Sequence, residues 1–284
     1  MGKVGQPETL RDRLQKHEDL IPSMPDVVAK AMALVQDPEA SLEDFEQLLA
    51  RDPPLVASVL RLANSPLHGL GRKRDTIREA IVGVGFKGLR GLLLCSTLKR
   101  FQGPQYSCYG KDPRSLWRHA VSVAAGARAL ARETGAKASD QEELFVAGLL
   151  HDLGKLLLAP FLTAKKHDLT AAREPAHVVE LRELGIDHPE AGGIVAAKWG
   201  LNPMLHAVIT HHHAVDCPEQ FQQAVATVRL ADGWATERGQ GAGTVAQGEA
   251  AVAADLEHLG LQPEDWYEIR EVMTAAMTQA VAQD

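Results

Sequence analysis

The stretch Gly148-Leu149-Leu150-His151-Asp152-Leu153-Gly154-Lys155 sets an imidazole and a carboxylate side by side at the end of an apolar run, with a glycine and a lysine just behind. On a helix adjacent side chains diverge by about 100°, so His151 and Asp152 can reach an ion beside the helix from different sides. Other donors flank them: His119 upstream, and His188, the triplet His211, His212 and His213, and Asp232 downstream. Nitrogen and carboxylate donors together suit iron, manganese, nickel or zinc, and several can hold one ion, or two roughly 3.5–4 Å apart. Two ions would make a bridging water nucleophilic at neutral pH and clamp phosphoryl oxygens. The same residues also admit a purely structural reading, with His151 and Asp152 capping a helix end, His188 opening a helix and the triplet forming a solvated helix terminus. The other six histidines, His17, His68, His167, His177, His206 and His258, are scattered and read as ordinary imidazoles outside any site.

The elements that must position these groups read as helices throughout. Val27, Val28, Ala31, Leu34 and Val35 mark an apolar face after Pro25, and Leu42, Phe45, Leu48 and Leu49 mark another after Ser41 and Asp44. Asp52-Pro53-Pro54 opens a third helix that stops at Asn64-Ser65-Pro66. Thr76 with Glu79 predicts a capping box, and a core helix follows from Phe86 to Phe101, where Gly88 and Gly91 imply close packing of another helix. Residues 102–113 read as a boundary. Beyond it the pattern predicts a helix from Arg114 to Thr134 carrying His119, and one capped by Ser139 with Glu142 that ends at His151-Asp152. Further helices are expected near 160–170, 175–184, 188–199, 203–213, 219–236, 250–259 and 264–281, with a surface loop at 238–249. No alternating run is long enough for a strand, so the fold class is all-α.

Composition narrows the function classes. The 284 residues, 45% hydrophobic and 24% charged, suit one large or two ordinary globular domains, and the 5% aromatic share favours closely packed helices. A net charge of −7 gives no electrostatic footprint for nucleic acid. No apolar run approaches the roughly 18 residues of a membrane span, and no hydrophobic signal core opens the chain, so a cytoplasmic location is expected. Cys95, Cys108 and Cys217 are widely spaced and read as reduced thiols.

Several short motifs in order resemble the HDOD domain, an HD-related output domain of bacterial signalling proteins. They are Ile21-Pro22-Ser23-Met24-Pro25, Arg51-Asp52-Pro53, Leu60-Arg61-Leu62-Ala63-Asn64-Ser65, Thr76-Ile77-Arg78-Glu79-Ala80-Ile81, Leu116-Trp117-Arg118-His119, the stretch at 148–155, Asp187-His188, the histidine triplet and Leu230-Ala231-Asp232. The resemblance covers roughly residues 20–236. It implies an N-terminal helical part (21–105) packed on an HD-like metal-binding half (106–237), preceded by a segment (1–20) and followed by a C-terminal loop and helices (238–284). It also implies a role in signal transduction, often as the output of a response regulator, without a common substrate.

At the metal positions the chain is similar to the HD-GYP phosphohydrolases. That resemblance implies His119, His151, Asp152, His188, His211, His212 and Asp232 as metal ligands, with Asp152 able to bridge two ions and Lys155 facing a substrate phosphate. A register one residue later brings in His213. After the triplet the chain reads Ala214-Val215-Asp216-Cys217-Pro218 with no Gly-Tyr-Pro, which argues against cyclic di-GMP phosphodiesterase activity. The resulting expectation is a regulatory output module with a retained metal site. The alternative is a metal-dependent phosphohydrolase acting on a phosphomonoester or nucleotide. The expected partner is a signalling protein or a small phosphorylated ligand, and a homodimer is compatible. No βαβ pattern is present, so any receiver domain is expected elsewhere.

Overall fold

The computed structural model describes residues 9–65, 73–98, 103–110, 112, 114–165, 167–169, 172, 174–214, 216–241 and 248–282. Among them every regular element is a helix, and no strand occurs. His68, Gly69, Gly71, Arg72 and Phe101 lie outside the described residues, as do residues 242–247 of the loop expected at 238–249.

The first helices follow their caps. Thr9 and Asp12 form a reciprocal box at the start of α1 (Leu10–Lys16), and Ser41 and Asp44 do the same for α3 (Leu42–Leu49). Pro25 precedes α2 (Asp26–Gln36), and Asp52 accepts a bond from the Leu55 amide to open α4 (Pro53–Ala63). Their apolar faces bury Val28, Ala31, Phe45, Leu49, Leu55 and Val59. In α5 (Ile77–Leu98) the backbone leaves helical geometry at Gly85, whose φ of 72° suits glycine. Thr76 caps the Glu79 amide, but the Glu79 carboxylate accepts from Asp75 instead of Thr76, so the expected box is not reciprocal. Past the kink, residues 88–98 are buried, and Gly91 meets Phe145 and Val146 of a helix in the second half of the chain, the close packing its composition implied.

Around α6 (Ser115–Glu133) stand α7 (Ala138–Leu150), α12 (Gln222–Glu237) and α14 (Trp266–Val281), while α8 (Leu153–Ala164) packs on α10 (His188–Lys198). The remaining helices are α9 (Ala176–Leu184), α11 (Pro203–His211) and α13 (Glu249–His258). The expected start of α7 is corrected. Lys137, without a side-chain cap bond, precedes α7, leaving Ser139 within the first turn, where it bonds Asp140. The boundary at 102–113 contains a 3-10 helix, Pro104–Tyr109, which packs on α8 and buries Tyr109.

Residues 77–98 and 138–164 contain stretches apolar enough to cross a membrane by length and composition, contrary to the simple count of apolar runs. Most of each is buried inside the fold, and the second is interrupted at His151-Asp152.

Candidate metal centre

Two glycines bring the ligand-bearing helices into contact. A Cβ on Gly148 would lie 2.9 Å from the Ala124 Cα, so α7 approaches α6 closely enough for His151 to meet His119. A Cβ on Gly154 would lie 2.0 Å from the His188 carbonyl oxygen and 2.6 Å from the Gly192 nitrogen, so the start of α8 rests on the start of α10. His151 and Asp152 occupy the two-residue turn between α7 and α8. Asp187 accepts from the Glu190 amide and caps α10, presenting His188 in its first turn. His212 follows the last residue of α11, and Asp232 comes from α12.

Two sets of donors converge. In the first, His119 Nε2 lies 3.2 Å from His151 Nε2, 3.3 Å from Asp152 Oδ2 and 3.1 Å from Asp232 Oδ1. His151 Nε2 is 3.4 Å from Asp152 Oδ2 and 3.7 Å from Asp232 Oδ1. Ligands about 2.1 Å from a common ion lie roughly 3.0–3.4 Å from one another, close to this spacing. In the second set, His188 Nε2 is 3.2 Å from both Asp152 Oδ1 and His212 Nε2, and His213 completes a group of three imidazoles. Asp152 therefore turns one oxygen to each set.

Hydrogen bonds on the far side of the rings leave the Nε2 lone pairs facing inward. His151 Nδ1 donates to the Gly148 carbonyl at 2.7 Å, His188 Nδ1 to Glu180 Oε2 at 2.7 Å, and His212 Nδ1 to the Ile209 carbonyl at 2.9 Å. With those protons on Nδ1, neither nitrogen of the His188–His212 contact can donate when the rings are neutral. Asp152 Oδ1 is buried without a hydrogen-bond partner among the described residues. Bare lone pairs and an orphaned carboxylate oxygen around one point are a donor set that a cation satisfies, so the residues present fit a metal.

Charge is distributed accordingly. Burial, and then the charges of His151 and His188, hold His212 well below the usual histidine range, and burial with its histidine neighbours does the same to His213. Burial also opposes charge on His119, but bonds to Asp152 and Asp232 outweigh it and push that imidazole up to about 9. Burial opposes ionisation of Asp152 too, yet His151 and Lys155 keep its carboxyl well below the ordinary range. The buried Lys155 ammonium lies 2.6 Å from Asp152 Oδ2 and 5.6 Å from the Tyr109 ring centroid.

The structure thus brings together His119, His151, Asp152, Lys155, His188, His212 and Asp232. His211 is the correction: its Nδ1 is 3.1 Å from the Asp216 carbonyl oxygen, away from both sets. His211 is the last residue of α11, whereas His212 and His213 lie in the turn after it and group with His188, so the inward pair is His212 with His213. Three contributors were missed in the sequence. Glu180, fully buried, binds the backbone and ring nitrogens of His188 and accepts from the Tyr109 hydroxyl at 2.7 Å. Tyr109 comes from the segment read as a boundary, and His177 stacks on His213 with ring centroids 4.5 Å apart. Glu180 had left a signal: a carboxylate on the face of α9 that also holds Ala176, Val179 and Leu184.

Solved structures share this all-helical architecture. An HDOD domain protein of unknown function from Geobacter sulfurreducens aligns over 94% of this chain and 96% of its own, with a TM-score of 0.67 at 24% identity. A candidate phosphohydrolase from Shewanella amazonensis SB2B aligns over 94% of each chain, with a TM-score of 0.69 at 24% identity. These likenesses define the class by fold. HDOD domain sequences match residues 21–215, and the chain belongs to the HDOD domain family. An uncharacterized protein of Treponema pallidum (strain Nichols) is 28% identical over 219 residues, 75% of this chain, which spans 42% of that relative's length.

Proposed function

We propose that this chain is a regulatory module of bacterial, cytoplasmic signal transduction whose HD-type centre holds one or two divalent ions, from among iron, manganese, nickel and zinc. The observation that carries the reading is Asp152, buried and shared between two inward-facing donor sets, with Lys155 bonded to one of its oxygens. His119, His151, Asp152 and Asp232 would hold one ion, and His188, His212, His213 and the other Asp152 oxygen a second. Bound ions would supply a Lewis acid and an acidified water. The enclosure of the ligands, with His151, His188 and His212 fully buried, favours an ion that organises the fold or senses a ligand over open turnover. The partner would be a signalling protein or a small phosphorylated ligand, engaged by a monomer or a homodimer.

Phosphohydrolase activity on a phosphomonoester or nucleotide is the second reading, favoured by the presence of two donor sets and by Lys155, whose ammonium could offset phosphate charge. The missing Gly-Tyr-Pro still argues against cyclic di-GMP as its substrate. Elemental analysis of protein purified without added metal, beside His151→Ala and Asp152→Ala variants, tests the shared premise. Near-stoichiometric metal that is lost in the folded variants is expected, and metal-free wild-type protein would overturn it. A nucleotide and phosphomonoester panel with iron or manganese then separates the readings: turnover abolished by Asp152→Ala would establish the enzyme, whereas equal background in both proteins leaves the regulatory module.

A further inference from the structure

The turn that carries His212 and His213 is held from outside the centre by an ion pair between α12 and α13. A helix end leaves carbonyls without intrahelical donors, and arginine is a common donor to them. Here Arg229 of α12 donates through Nη1 to the carbonyl of Ala214, the residue after His213. Asp255 of α13 pins the same guanidinium: Nε donates to Oδ2 at 2.9 Å and Nη2 to Oδ1 at 2.7 Å. Asp255 is 1% exposed and the Arg229 side chain 14%. Arg229 stands one helical turn before Asp232, so α12 presents both a ligand of the first donor set and a tether for the turn of the second.

A buried ion pair contributes little net stability, because desolvation of both charges offsets their attraction, so geometry is what it supplies. A pair that only braced α13 against α12 would be complete with the bonds between Arg229 and Asp255. The bond to Ala214 is additional and reaches a third segment. That segment depends on it. The His212 ring is fixed by its own Nδ1 bond to the Ile209 carbonyl, whereas the His213 ring is met by the rings of His177, His188 and His212 through stacking, edge and tilted contacts. The direction of His213 therefore follows the backbone of the turn, whose exit is tied at Ala214 by Arg229 and at Asp216 by the His211 ring. Both members of the ion pair lie beyond residues 21–215, the span of the family match.

We propose that Arg229 and Asp255 are positioning residues for the second donor set, a clamp that keeps the turn at 212–214 in the register that points His213 inward. The inference deepens the metal-holding reading and rests on it. Retention of the second ion then depends on α13, which packs on α12 and reaches the centre through this clamp. The first ion's ligands, His119, His151, Asp152 and Asp232, come from α6, the α7–α8 turn and α12 and do not include the clamped turn. Loss of the clamp therefore empties one ion site and spares the other.

Arg229→Met alone leaves the Asp255 carboxylate buried without its cation, a fault of folding in its own right. The test therefore uses the full chain carrying Arg229→Met with Asp255→Ala, which strands neither charge and still takes the donor from the Ala214 carbonyl. Two measurements are made beside wild type. Manganese(II) is titrated into metal-free protein by calorimetry, with bound metal counted by elemental analysis, and amide hydrogen exchange across residues 211–217 is followed in the metal-free state. The variant is expected to keep one ion at wild-type affinity, to bind the second about 10- to 100-fold more weakly, as His213→Ala does, and to exchange the turn amides at least about tenfold faster. The first ion serves as the internal control, since general loosening of the fold would weaken both. Two ions held at wild-type affinity, both ions weakened alike, or unchanged exchange in the turn would overturn the proposal. Wild-type protein that takes up no second ion would overturn the consequence for metal, and exchange, which needs no ion, then shows whether that failure lies in the metal reading or in the clamp.

Discussion

At the scale of single residues, what distinguishes the centre is which ring nitrogen carries a proton. Glu180 holds the Nδ1 proton of His188 and so keeps Nε2 free for an ion. Glu180→Gln is expected to lower metal affinity by about 10- to 100-fold while leaving the helical circular dichroism unchanged, read by competition with a chromophoric chelator. His211→Ala should retain all metal, whereas His213→Ala should weaken one ion and spare the His119 set, a contrast that elemental analysis resolves. His119 adds a pH dependence. Its folded-state pKa of about 9 exceeds the ordinary 6.5, so in metal-free protein its stabilising contribution is complete below pH 6.5 and is lost as pH rises through 9. An ion must displace that proton, so affinity should climb with pH up to about 9 and then level. Denaturant midpoints and calorimetry in buffers of different ionisation enthalpy check both parts.

At the scale of elements, the site depends on helix crossings with no room for a methyl group. Gly154→Ala places a Cβ against the His188 carbonyl and the Gly192 amide, both backbone, so relief requires moving α8 off α10. The expected cost is about 2–4 kcal/mol, with loss of the Asp152–His188 contact. Gly135→Ala is the control: its φ is 76° and nothing lies within 4 Å, so it should cost only about 1 kcal/mol and leave metal content unchanged. Thermal melts with parallel metal analysis distinguish the two. These crossings were only partly legible in the sequence. Gly91 reads as a contact because it interrupts an apolar helix, while Gly148 and Gly154 flank His151-Asp152 with no such sign, since nothing local tells a turn glycine from one pressed against a distant helix.

At the scale of the whole molecule, the family match ends at residue 215, yet the fold does not divide there. Asp232 comes from α12, and α14 buries Ile269, Met273 and Met277, with Met277 facing Gly126 of α6, the helix that presents His119. Removing residues 263–284 should therefore lower the unfolding free energy by several kcal/mol, at about 1.5–3 kcal/mol per buried side chain, and release metal, as equilibrium unfolding and elemental analysis would show. The other end is tied in as well: Trp199 donates to the Pro22 carbonyl at 2.8 Å and Lys198 to the Ile21 carbonyl at 3.0 Å, so the Ile21-Pro22 motif anchors to the end of α10.

The sequence by itself marked out most of the helices, several of their caps and most of the candidate donors, because helical period, capping oxygens and the His-Asp doublet are local signals carried by neighbouring residues. Ser41 with Asp44 and Asp52 before two prolines act within one turn of chain, and the structure has each as expected. Only the tertiary structure decided which histidines of the triplet face inward, that Glu180 and Tyr109 stand behind His188, and that Asp152 shares its two oxygens between donor sets. Those outcomes turn on the end of α11, the crossing of α8 with α10 and the docking of the Pro104–Tyr109 helix. They are relations between segments far apart in sequence, set by close packing that no local pattern encodes.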